Sequence, residues 1–166
     1  MRHVAGFCTF CLLVFLALTL HSTAMAQEWQ RFSADDYGFA MLVPSGTTMK
    51  TEEFGGGWGG LVGESQGTTV IGIAKLGTEE KPADIEAFGV EVTKIAADRW
   101  TLIDEGSGKG WKWYRTVSAA DGGKQIFGGY GTGPRGSYLL ILVTTPDDFK
   151  AYRADFDTWY QSIELF

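Results

Sequence analysis

The sequence predicts an α+β domain, a twisted and largely antiparallel sheet with a helix on each face. Three observations carry that prediction. Short runs rich in Val, Ile, Tyr and Trp recur between glycine-rich turns, as strands joined by hairpins do. Two segments place large apolar residues at helical spacing, one between two groups of strands and one near the end. Tyr138-Leu139-Leu140-Ile141-Leu142-Val143 is apolar at odd and even positions alike, so that strand must be covered on both faces. The order strands, helix, strands, helix is satisfied by layers of helix packed on a sheet.

Trp29 to Ser33 reads as a first strand and Tyr37 to Val43 as a second, joined by a turn at Asp35-Asp36 and stopped by Pro44. Tyr37, Phe39, Met41 and Val43 line one face of the second strand, and Gly38, Ala40 and Leu42 the other. Ser45 to Phe54 is polar and irregular. Trp58 to Glu64 and Thr68 to Leu76 form a hairpin across Ser65-Gln66-Gly67. The first helix runs from about Pro82, a good first-turn residue, to Asp98, with Ile85, Phe88, Val92 and Ile95 on its buried face. Gly89 near that face costs about 1 kcal/mol relative to alanine unless it lets the helix approach the sheet closely.

Trp100 to Asp104, Trp111 to Ala119, Lys124 to Tyr130 and Ser137 to Thr144 are the following strands, separated by turns at Gly106 to Gly110 and at Asp121-Gly122-Gly123. Thr145-Pro146-Asp147-Asp148 then caps and opens a second helix, with acidic residues at the positive end of its dipole. Phe149, Tyr152, Phe156 and Trp159 form its apolar stripe. Ser162 to Phe166 closes the chain as a strand or extended tail.

Residues 1–26 have the parts of a signal peptide: Arg2, an apolar run from about Phe7 to Leu20, and Ala24-Met25-Ala26 as a cleavage site. An uncleaved anchor needs roughly 20 apolar residues, more than this run supplies. A periplasmic or secreted protein is expected, with no stable membrane insertion after cleavage and one domain over residues 27–166. Both cysteines (Cys8, Cys11) and both histidines (His3, His21) fall in the signal. The remaining chain has no thiol or imidazole, which removes disulfides, Ser-His-Asp triads and the metal sites that need those ligands. No cofactor and no metal is expected. Of 14 basic residues 13 remain without Arg2, against 20 acidic ones, a net charge of −7 that makes nucleic acid a poor partner.

Several motifs look chemical. Gly63-Glu64-Ser65-Gln66-Gly67 matches a nucleophile elbow in letters, but a strand rather than a helix follows it. Gly131-Thr132-Gly133-Pro134-Arg135-Gly136 and Gly55 to Gly60 fit G-x-G-x-x-G, but both open strands, where no helix dipole meets a phosphate. Adjacent carboxylates such as Asp35-Asp36, Glu79-Glu80 and Asp147-Asp148 sit at element ends without calcium-loop spacing.

The opening Tyr37-Gly38-Phe39 followed by Pro44, the long central helix, the glycine-punctuated strands and the closing helix running into Ser162-Ile163 resemble the Mog1/PsbP-like α/β/α sandwich of many exported bacterial proteins. The chain departs from the usual Gly-Trp after the proline, having Ser45-Gly46-Thr47. The resemblance implies auxiliary or binding work: PsbP-type members assist a photosynthetic complex and Mog1-type members bind a small GTPase. No functional residue of either branch is placed here by motif.

All six tryptophans lie beyond residue 28. Trp111 and Trp113, two apart, fall on one face of a strand, either packed beneath a helix or exposed for contact. Trp58 stands among glycines in what reads as a mobile loop, a plausible contact device with Tyr130 and Arg135 on another loop. A non-catalytic binding or accessory domain with a protein partner in the cell envelope is the first expectation. A glycan or small-ligand module using exposed tryptophans is the second, and a carboxylate- or Ser/Lys-based hydrolase the third.

Overall fold

The structure, a computed structural model, describes residues 28–166, so the signal expected at 1–26 lies outside the described residues. Among the described residues ten strands form two antiparallel sheets. The smaller holds β1 (Trp29–Ala34), β2 (Phe39–Pro44) and β10 (Glu164–Leu165), in the order β1-β2-β10. The larger holds β3 (Lys50–Gly55), β4 (Trp58–Ser65), β5 (Thr68–Leu76), β6 (Thr101–Gly108), β7 (Trp111–Asp121), β8 (Lys124–Gly133) and β9 (Gly136–Thr144). Its order is β3-β4-β5-β9-β8-β7-β6. From β5 the chain crosses through α1 (Pro82–Thr93) to the far edge and then meanders back until β9 pairs with β5. After β9 come α2 (Pro146–Ala151) and α3 (Arg153–Gln161).

β9 is buried on both sides, as its unbroken apolar run requires. Leu139 and Ile141 join Ile85 and Phe88 of α1 in one core, and Leu140 and Leu142 join Met41, Phe156 and Trp159 in another. The second core is therefore covered by the small sheet as well as by α3. Gly72 of β5 marks how closely the layers meet, since a Cβ there would lie 2.5 Å from the Phe39 ring. No helix among the described residues is long and apolar enough to cross a membrane.

The α+β class and the antiparallel pairing agree with the sequence expectation, and several boundaries differ. Strands from one end of the chain to the other were expected in one sheet, but β2 takes the C-terminal β10 as its neighbour, Leu165 opposite Phe39, and separates. The stretch expected to be irregular contains β3, and the strand expected to end at Asp104 runs to Gly108. Both are edge strands with largely exposed side chains, so neither shows an apolar alternation. Periodicity predicts α1 to Asp98; it ends at Thr93 because Lys94 turns left-handed, φ 60°, with its N–H on the Val90 carbonyl. Ile95 is buried beyond the helix, its carbonyl accepting from the Trp100 indole at 3.0 Å. The closing helix breaks at Tyr152, where φ is −114° and ψ 27°. Its start is capped by Thr145, whose hydroxyl accepts from the Asp148 N–H at 3.1 Å.

Candidate functional site

Trp58 opens β4 directly after a tight turn in which Gly56 and Gly57 both have positive φ, as two-residue hairpin turns demand. This replaces the expected mobile loop. The indole is 6% exposed and lies on the Phe88 ring, centroids 4.2 Å apart and planes 6° from parallel, with the Lys75 ammonium 6.0 Å over it. It joins the sheet to α1.

Tyr130, expected on a loop, stands within β8 and is fully buried. Its hydroxyl donates to Glu86 of α1 at 2.8 Å, and the Trp113 ring meets it edge-on, 6.2 Å and 89° away. Burial, more than any other influence, raises its pKa above the ordinary phenol value. Arg115 from β7 leans on the same hydroxyl and also pairs with Glu105 at 3.2 Å. Arg135 is exposed at the β8–β9 turn and donates to the carbonyls of Asp35 at 2.6 Å and Asp36 at 3.1 Å, fastening that turn to the β1–β2 turn. β5 and β9 separate the strands of Trp58 and Tyr130, and Arg135 is engaged with the β1–β2 turn, so the three do not form one contact device.

Trp111 and Trp113 point to opposite faces, against the expectation from their spacing. Gly106 pairs with Tyr114 and Gly108 with Trp111, so Lys112 and Trp113 together oppose one residue. This bulge restarts the alternation. Trp113 stays half-buried beside Tyr130, while Trp111 packs edge-on against Tyr138 at 6.0 Å and Tyr114 at 6.2 Å in the other core.

Trp111 thereby becomes a wall of a cleft of about 360 Å³ between the β6–β7 hairpin and the end of α3. Tyr114 and Tyr160, 6.5 Å apart and inclined at 65°, form the rest of its aromatic lining, with Ile163 beside them. The Tyr114 hydroxyl donates to Asp104 at 2.9 Å, Thr116 donates to the Tyr160 oxygen at 2.7 Å, and the Lys109 ammonium donates to the Gln161 carbonyl at 2.6 Å. The hydrogen bond to Asp104 is the main cause that holds the Tyr114 phenol above its usual range. Burial pushes Tyr160 up to about 12, the Thr116 hydrogen bond offsetting part of the rise. Both phenols are thus neutral at ordinary pH, and the cleft offers aromatic faces, one carboxylate and one ammonium already in use. A neighbouring hollow lined by Arg31, Ser162 and Glu164 shares Lys109, Gln161 and Ile163 with it.

Asp104, Lys109, Tyr114 and Tyr160 were not candidates from sequence. Their meeting depends on α3 returning to β7, which no local pattern records. Among the described residues no three His, Cys, Asp or Glu side chains gather as metal ligands would.

No protein-family model matches the sequence, and no curated protein does either. Among solved structures the chain is similar to cyanobacterial PsbP (CyanoP) from Synechocystis sp. PCC 6803, at 17% identity and a TM-score of 0.58 over 87% of this chain and 96% of that one. At that identity the likeness is one of architecture, and it assigns this chain the PsbP/Mog1-like α+β fold.

Proposed function

We propose that the chain is a non-catalytic accessory domain, exported to the periplasm or beyond, that works through a protein interface on the β6–β7 side of its sheet. The observation that carries this reading is β6, an edge strand exposed along its whole length, with Leu102 50% and Ile103 44% exposed. An open edge offers unpaired backbone groups, and exposed large apolar residues offer area to bury. The likeness to cyanobacterial PsbP supports it too, through the auxiliary binding work that the sequence resemblance implies.

Half-buried Trp113, backed by Tyr130, serves this surface directly, Trp111 seats the Tyr114 ring from beneath, and Trp58 and Arg135 hold the scaffold. The saccharide alternative draws little support, because Trp58 and Trp111 are 6% and 7% exposed and their rings pack against aromatic neighbours. Against a hydrolase, the cleft's two phenols stay protonated, and its carboxylate and ammonium are held in hydrogen bonds.

A photo-crosslinking amino acid placed at Leu102, and in a control at Thr51 of the opposite edge, tests the interface in the native exported fraction. A discrete adduct from position 102 and none from position 51 is the expected result. Equal labelling from both positions, or none from either, refutes it.

A further inference from the structure

The cleft beside β6 has a more specific chemistry than a general apolar contact. Its walls are three aromatic rings from Trp111, Tyr114 and Tyr160. Its rim carries Asp104, whose carboxylate accepts from the Tyr114 hydroxyl at 2.9 Å. The carboxylate charge contributes to raising the phenol pKa of both Tyr114 and Tyr160, so its field reaches across the cleft. The floor is the C-terminal end of α3, where the Gln161 carbonyl lies at the negative end of the helix dipole. A cation already uses this end, since the Lys109 ammonium sits 2.6 Å from that carbonyl.

Resting on the interface reading above, we propose that the cleft receives an arginine side chain from the partner protein, stacked on the half-buried Tyr114 and Tyr160 rings, with Trp111 packed behind Tyr114, and paired with Asp104. Aromatic faces attract cations, and a guanidinium is planar, weakly hydrated and able to stack while its edge meets a carboxylate. An ammonium matches the charge but not the shape. The net charge of −6 draws basic surfaces toward the chain, and complementary charge then fixes orientation. Lys109 acts as an internal competitor, a positive charge within the same cleft.

The test is a titration of the protein with the peptide acetyl-Gly-Arg-Gly-amide and with its neutral citrulline counterpart, followed by NMR at the Trp111 indole N–H and the amides of residues 104–109. The arginine peptide is expected to give saturable shifts confined to these groups, with the citrulline peptide about tenfold weaker. Asp104→Asn, which keeps an acceptor for Tyr114, should weaken the arginine peptide about five- to tenfold. Lys109→Met should tighten it several-fold.

Equal binding of the two peptides, indifference to Asp104→Asn, or weaker binding by Lys109→Met overturns the proposal. If neither peptide binds while position 102 still cross-links its partner, the arginine assignment falls and the interface stands. If the adduct is absent as well, both fall.

Discussion

Trp58→Ala removes the side chain that joins the larger sheet to α1. The indole is 6% exposed and stacked on Phe88 at 4.2 Å, with Phe54 meeting the Phe88 ring edge-on at 6.3 Å. Truncating a buried tryptophan to alanine costs about 3–5 kcal/mol, and a stacked aromatic pair is worth about 0.5–1.5 kcal/mol beyond its burial. The hollow bordered by Gly55, Asp84 and Glu91 lets water reach the vacated space, which favours the lower end, about 3 kcal/mol. A domain of this size has about 5–15 kcal/mol in all, so the loss is large. Urea unfolding followed by far-ultraviolet circular dichroism reads it without depending on tryptophan emission. Trp58→Phe keeps a ring on Phe88 and should cost about 1 kcal/mol. A loss below about 1 kcal/mol for Trp58→Ala, with the urea slope unchanged, would refute the packing role and return Trp58 to the list of contact residues.

Gly72→Ala should destabilise by about 2–3 kcal/mol in the same assay, because its Cβ would meet the fully buried Phe39 and Met41 at 2.5 and 3.1 Å; a neutral result would show that the small sheet yields. Thr145→Ala should cost about 1 kcal/mol and speed hydrogen exchange over residues 146–151, whereas Thr145→Ser should keep the cap; equal behaviour of the two would deny the cap its role. Tyr160, with its pKa raised to about 12 by burial, favours the folded state in its neutral form. That contribution is complete below about pH 10, the unfolded value, and disappears as pH rises through the folded value. Tyr160 is partly exposed, so the effect is no more than about 3 kcal/mol, and Tyr160→Phe should flatten stability against pH in that window.

What the sequence made legible was set by short-range constraints. The hairpin turns at Gln66-Gly67 and Gly122-Gly123 announce themselves because each needs consecutive positive φ angles. β9 is legible because its apolar run admits only two-sided burial, and α1 begins where Pro82 and the Ile85 and Phe88 spacing place it. β3 is not legible, and β6 is legible only as far as Asp104, since each has one neighbour and little apolar contact. The pairing of β2 with β10 joins the two ends of the domain, and no local pattern encodes it. Gly89 shows the intermediate case: close approach was readable, but the neighbour that requires it is the Trp100 ring, 2.5 Å from where a Cβ would stand, and not the sheet.

The candidate site turns on one residue of register. Tyr114 and Trp111 share a face although they are three residues apart, because the bulge absorbs one position between them. Deleting Lys112 therefore leaves the two rings two residues apart, on one face of a regular ladder, and also removes an exposed ion pair with Glu79. The deletion should cost no more than about 1 kcal/mol, the range of such surface pairs, and leave the Trp111 indole resonance near its place. Deleting Ser118, in the unbulged part of β7, shifts Val117 and its predecessors to the wrong face and should unfold the domain. If loss of Lys112 were as damaging as loss of Ser118, the bulge would not be what seats Trp111 in the cleft, and the route from sequence to binding site argued for β7 would be wrong.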